Sequence, residues 1–303
     1  MADGDRHFRA RIFWLAATWI AMTRILYMSD LHLEMESFRL AVPGWVEFLA
    51  RHRKEVRHPS RGPMLNAVGK VDLVVLAGDI HTGLRGIVYG EQVGKYLDVP
   101  VVMVAGNHEY YHHDMATLMQ AFEETLGRAE HVHFLENKAV SLTLGGGQKI
   151  KLLGCTLWTD FALQGAAEVS MQNAQRVMND YRFIELKGVP LAPQNTRDLH
   201  AASLAWLHRE LDATEPGVKR IVVTHHAPSG AVLGKRTGPI APAYGSDIIG
   251  QFSDKKLDGW IHGHTHFRHE SIIDGIRLVS APRGYVGHDG AKALQFQPGV
   301  LEV

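Results

Sequence analysis

The chain has 303 residues, enough for one large domain or two small ones, and its 46% hydrophobic and 21% charged content is that of an ordinary globular protein. Lys+Arg and Asp+Glu both number 32, so overall charge speaks against nucleic-acid binding and leaves only a local basic patch open. One cysteine, Cys155, excludes an intrachain disulfide and fits a reducing compartment, so a cytoplasmic location is expected.

At the N-terminus, Arg6, Arg9 and Arg11 precede an apolar run from Ile12 to Met22. The run is too short to span a membrane, and it passes into the first strand without a cleavage site or spacer. Residues 1–21 are expected to be a non-native or misassigned extension, with Met22 the working start. A membrane-proximal anchor is the alternative.

Arg24 to Ser29 reads as a short apolar strand ending in Ser29-Asp30-Leu31-His32. In extended chain, residues two apart share a face, so Asp30 and His32 can meet one ion. An N-cap Asp beside a surface His is the competing reading. Trp45 to Val56 is expected to be a helix, and Arg57 to Gly69 a loop. Val71 to Ala77 is a buried-strand run that stops at Gly78 and is followed by the carboxylate of Asp79. A carboxylate at the end of a buried strand is costly unless something positive meets it.

The Gly-rich run Gly83 to Tyr89 precedes a helix expected over Glu91 to Leu97. Val99 to Ala105 is again apolar and again ends in a glycine before polar residues, Gly106-Asn107-His108-Glu109. Asp114 to Leu126 has the periodicity of an amphipathic helix. Val140 to Leu144 and Ile150 to Cys155 flank three glycines, as in a hairpin. Trp158 to Pro193 is the least periodic stretch and is expected to lie over the site as helix and loop, a substrate-side insertion near 158–195. Asn195 to Leu211 reads as a helix.

Arg220 to Thr224 is a further buried strand, ending at His225-His226-Ala227-Pro228. A helix is expected near Asp247 to Phe252. Gly259-Trp260-Ile261 then leads into His262-Gly263-His264-Thr265-His266. The tail is expected to form a meander, with strands at Ser271 to Ile273, Ile276 to Ser280 and near Leu294 to Phe296.

Five strand ends thus carry carboxylate, imidazole or amide groups, and in α/β sheets sites form beyond the carboxyl ends of strands. This donor mixture, free of thiolate, suits Mn, Fe or Zn rather than a structural cysteine site. One ion would leave half of these groups as unexplained buried polar residues. Two ions, roughly 3.5–4 Å apart and bridged by Asp79, use them all.

The set Asp30-x-His32, Gly78-Asp79, Gly106-Asn107-His108-Glu109, His225 and Gly263-His264-x-His266 resembles the calcineurin-like metallophosphoesterase family. The resemblance implies an α/β fold, a four-layer αββα sandwich, as a single domain over 22–303. It implies one metal held by Asp30, His32, Asp79 and His266, and another by Asp79, Asn107, His225 and His264. His108 would hold no metal and would face the leaving group.

The implied activity is hydrolysis of a phosphomonoester or phosphodiester in a small phosphorylated substrate, by metal-activated water. A non-catalytic scaffold and a nuclease are the alternatives. Protein phosphatases of that family carry a second Asp three residues after the bridging one to orient the catalytic His. Thr82 stands there in this chain, so what orients His108 is open. Asn107, Arg283 and Tyr285 are candidates to touch substrate. His226, His262 and His269 are expected to support ligands or lie on the surface, while His81, His112 and His113 are unassigned.

Overall fold

The structure, a computed structural model, describes residues 22–35, 70–290, 293 and 295–303. The expected helix Trp45–Val56, the loop Arg57–Gly69 and the segment 1–21 lie outside the described residues. In chain order the strands are β1 (Arg24–Met28), β2 (Leu73–Ala77), β3 (Val101–Val104), β4 (His113–Asp114), β5 (Val132–Phe134), β6 (Lys138–Thr143), β7 (Lys149–Cys155), β8 (Ile184–Leu186), β9 (Val189–Pro190), β10 (Val218–Thr224), β11 (Gly259–Ile261), β12 (His269–Ile273), β13 (Ile276–Ser280) and β14 (Gly299–Glu302). The helices are α1 (Arg85–Leu97), α2 (Met115–Leu126), α3 (Ala167–Val177), α4 (Asp180–Phe183), α5 (Pro193–Asp212) and α6 (Val286–Asp289).

One sheet has the order β14-β1-β2-β3-β5 and the other β12-β13-β11-β10-β7-β6; β4, β8 and β9 form a small third sheet. Alternation along each strand decides the layers. Ile25, Tyr27, Val75 and Ala77 point inward against Ile221, Val223 and Ile261 of the second sheet. The intervening Leu26, Met28, Val74 and Leu76 belong to an outer core with Ile87 and Val93 of α1 and Phe122 of α2. On the far side, Val222, Trp260 and Leu278 share a core with Trp206, Leu207 and Leu211 of α5. The result is helix, sheet, sheet, helix. Because the central strands are buried on both faces, their sequences are continuous apolar runs.

β1, β2, β3 and β5 run parallel, as do β7, β10, β11 and β13, so their carboxyl ends collect at one edge of each sheet. The hairpin expected across the three glycines is β6–β7, paired antiparallel.

Some elements differ from the sequence reading. The helix expected from Glu91 begins at Arg85. Gly86, Gly90 and Gly94 recur every fourth residue along it and let it lie close to the sheet; a methyl at Gly86 would come within 2.5 Å of Met103 Cε. The helix expected at Asp247–Phe252 is only a 3₁₀ turn, Ile249–Phe252. Asp247 is instead a loop staple, accepting from Ser229 Oγ at 3.0 Å and Gly230 N at 2.6 Å. The last strand is not near Phe296 but at Gly299–Glu302, and it leaves the meander to pair antiparallel with β1 in the other sheet. Among the described residues, no helix is long and apolar enough to cross a membrane.

Candidate metal centre

Each motif residue stands where an apolar strand runs out. Asp30, His32, Asp79, His264 and His266 all have positive φ, at 51°, 49°, 54°, 66° and 51°. The left-handed region costs an L-residue about 1–2 kcal/mol, and such strain gathers at functional sites. Here the surrounding ladder imposes it. Asp30 N donates to Gly78 O at 3.0 Å, and His32 N donates to Asp79 O at 3.0 Å. The two sheets are also tied together at the site. His264 N donates to Asp30 Oδ1 at 3.0 Å, and His225 Nδ1 lies 3.0 Å from Ala77 O.

Glu109 is a buried carboxylate whose role the sequence reading missed, although it directly follows the Asn-His pair. It accepts from the backbone N–H of Asp79 (2.9 Å), Ile80 (2.8 Å), His81 (3.3 Å) and Gly106 (2.7 Å), latching the ends of β2 and β3 together. The approach at this latch is so close that a Cβ on Gly106 would sit 2.6 Å from Asp79 N. Burial and the Asp79 charge raise the Glu109 pKa to about 7 against the pull of those amides. Removing the latch strands several buried donors, each worth about 1–3 kcal/mol. Glu109→Ala is therefore expected to lower the melting temperature by about 5 °C or more. An unchanged thermal melt would show that the latch carries no stability.

The side chains converge around Asp79. Its Oδ1 lies 3.4 Å from His225 Nε2, and that nitrogen is 3.1 Å from both Asn107 Oδ1 and His264 Nδ1. Its Oδ2 lies 3.8 Å from His32 Nε2, which is 3.0 Å from His266 Nε2; His266 Nε2 in turn is 3.5 Å from Asp30 Oδ1. The carboxylate therefore faces one donor group with each oxygen. Ligand-type atoms of Asp30, His32 and His266 lie within 4.8 Å of one another, as do those of Asp79, His225 and His264.

The donor set fits cations. Pairs of imidazole nitrogens face each other across about 3 Å, and His264 Nε2 is buried with no hydrogen-bond partner among the described residues. Burial works against charge on Asp79, but His225, His108 and His32 outweigh it and hold the carboxyl well below the usual range. Burial lowers the pKa of His225, yet Asp79 overrides this and lifts it to about 9. His264, buried beside His226 and His225, is pushed well down.

His108 lies at the rim of this cluster. Its ring stacks on Tyr111 at 4.2 Å and meets His32 edge-on at 4.4 Å. Nδ1 is 2.7 Å from Glu34 Oε1, and Nε2 is 2.9 Å from the Tyr285 hydroxyl. Burial lowers its pKa, but Asp79 and Glu34 prevail and raise it to about 9.

Asp180, from α4, accepts from Asn107 Nδ2 at 2.8 Å and Tyr111 Oη at 2.7 Å. The Asn107 amide is thereby turned with its oxygen toward His225. From the stretch 158–195, Val177, Met178, Asn179 and Asp180 line the cavity that Asp79 also lines.

Arg283 is buried, and its Nη1 donates to Leu31 O at 3.2 Å; it is not among the residues lining that cavity. Tyr285 does line it. His226 Nδ1 is 3.2 Å from Thr156 O, and His262 Nε2 is 2.8 Å from His269 Nε2, both beneath or beside the motif histidines. His81 Nδ1 lies 3.3 Å from Thr82 Oγ1, and the His112 ring packs against Phe183. His113 lies against Gly83 on the outer side. Two side chains had little or no sequence signal: Glu34 only continues the two-residue spacing of Asp30 and His32, and Asp180 had none.

The chain is 22% identical over 205 residues to Uncharacterized protein L509 of Acanthamoeba polyphaga mimivirus, covering 61% of this chain and 68% of that protein. Its fold is similar to the crystal structure of phosphopantetheinyl hydrolase (PptH) from Mycobacterium tuberculosis, with a TM-score of 0.67 and 16% identity over 94% of this chain and 96% of that one. Residues 23–268 match the family described as Calcineurin-like phosphoesterase. On its strand-end residues, its layered fold and that match, the chain belongs to the calcineurin-like phosphoesterase family.

Proposed function

We propose that the protein is a metal-dependent hydrolase of phosphate esters that holds two metal ions, of Mn, Fe or Zn type, around Asp79. The observation that carries this reading is the Asp79 carboxylate, whose two oxygens face two separate donor groups. Asp30, His32 and His266 would share one ion with it, and Asn107, His225 and His264 the other. Such ions, when bound, neutralise phosphoryl oxygens and activate water for attack on phosphorus.

The chain's own residues supply the rest. His108 directs Nε2 toward the cavity, where it can give a proton to the departing oxygen. Asp180 holds the Asn107 amide in one orientation. The cavity has a volume of about 250 Å³ and a mixed wall, with Val177, Met178 and Ile240 apolar and Arg236 cationic. Arg236 lies over the Tyr244 ring at 4.3 Å, which keeps its charge at the rim. Such walls suit a small phosphorylated molecule with an apolar portion. A cytoplasmic location and a single domain over 22–303 complete the reading.

The test is hydrolysis of p-nitrophenyl phosphate and bis-p-nitrophenyl phosphate by Mn²⁺-loaded protein, with EDTA as control. The expected result is EDTA-sensitive turnover of at least one ester. Cleavage of the diester alone makes the protein a phosphodiesterase or nuclease. Turnover of neither would overturn the reading in favour of a non-catalytic scaffold.

A further inference from the structure

His108 needs something to hold its ring, and the position expected to supply a carboxylate does not: it is Thr82, whose hydroxyl lies against His81. A different carboxylate, from another part of the chain, reaches the ring. Glu34 follows β1 by a short loop that is pinned through its backbone, with Leu33 N donating to Ile80 O at 3.1 Å and Met35 N to His32 O at 3.0 Å. Its side chain is 12% exposed. Oε1 lies 2.7 Å from His108 Nδ1 and 3.4 Å from His32 Nδ1, and Oε2 is buried without a hydrogen-bond partner among the described residues.

Resting on the phosphoesterase reading above, we infer that Glu34 is the positioning residue for His108, fixing the ring so that Nε2 faces the scissile ester. An ionised carboxylate only accepts hydrogen bonds, so the short contact keeps Nδ1 protonated and leaves Nε2 as the nitrogen that gives its proton to the ester. With one ring face stacked on Tyr111 and one edge against His32, the Glu34 contact removes the remaining freedom, rotation about the Cβ–Cγ bond. Nε2 is then left to the Tyr285 hydroxyl in the free protein and to the leaving group in the complex. The 3.4 Å approach to His32 is too long to be the main contact, so the carboxylate serves His108 first.

The test uses Glu34→Ala and Glu34→Gln, each alone and combined with His108→Ala, in the full chain. Whichever ester class the wild type cleaves is assayed with phenol and with p-nitrophenol as leaving group. Glu34→Ala is expected to lower kcat for the phenol ester by about 10–10²-fold, with a smaller loss for the p-nitrophenol ester that needs less help in leaving. KM and bound metal stay within twofold of wild type. Glu34→Gln, which can still accept from Nδ1–H, recovers part of the loss. In the His108→Ala background, Glu34→Ala costs nothing more, because the two residues act as one unit.

Side-chain ¹⁵N NMR of the Zn²⁺-loaded protein gives a readout independent of turnover. The hydrogen-bonded His108 Nδ1–H signal, identified by its disappearance in His108→Ala, is retained in Glu34→Gln and lost to exchange with water in Glu34→Ala. An unchanged Nδ1–H signal in Glu34→Ala overturns the inference, as does a further loss of activity in the His108→Ala background. So does loss of metal, which would assign Glu34 to His32 instead. A wild type that cleaves neither ester removes the phosphoesterase reading, and the NMR result then decides the positioning role by itself.

Discussion

Asp79→Asn is expected to lose metal and activity together. The substitution keeps the shape but removes the negative charge, and it turns one oxygen into an amide NH₂ that points hydrogens at an imidazole cluster. Asp79 Oδ1 already accepts from His108 N at 2.9 Å while it faces His225 at 3.4 Å. The amide therefore keeps its oxygen on that side and presents NH₂ toward His32 and His266. Losing only a partner of a ligand costs metal affinity 10–100-fold, so losing the shared carboxylate is expected to cost more than about 10²-fold. Elemental analysis after gel filtration should show less bound metal than in wild type, with turnover falling in parallel. Unchanged metal content would refute the bridging role of Asp79.

His108→Ala separates chemistry from metal binding. The ring lies within ligand reach of His32 and Asp79, but each Asp79 oxygen faces a donor group without it, and its Nε2 is presented to the cavity. Bound metal should stay at the wild-type level while kcat falls about 10²–10⁴-fold, the range for a positioned acid. The deficit should be largest for esters with poor leaving groups. A normal kcat would take His108 out of the mechanism, and a fall in metal content would make it a ligand.

The donor groups were legible because each is written into a short contiguous stretch. An apolar run, then a glycine, then a carboxylate or imidazole marks the end of a buried strand wherever it occurs, as at Val71–Asp79 and Val99–His108. Strands buried on both faces have no polar alternation to confuse, so their ends are sharply marked. Elements whose character depends on a neighbour were read less well. The Gly-rich start of α1 was not read as helix because the purpose of Gly86, close approach to the sheet, belongs to the packing. The last strand was misplaced because its partner, β1, lies at the other end of the chain.

The sequence alone determined that carboxylates, imidazoles and one amide stand at successive strand ends, and from this alone a pair of cations could be expected. Only the tertiary structure decided which oxygen of Asp79 faces which group and what braces those groups. Glu34 meets His108 across 74 positions of sequence, and Asp180 meets Asn107 across 73. Local pattern carries the direction in which a side chain leaves its strand. A hydrogen bond between distant segments depends on how two sheets and their loops pack, and no short stretch of residues encodes that.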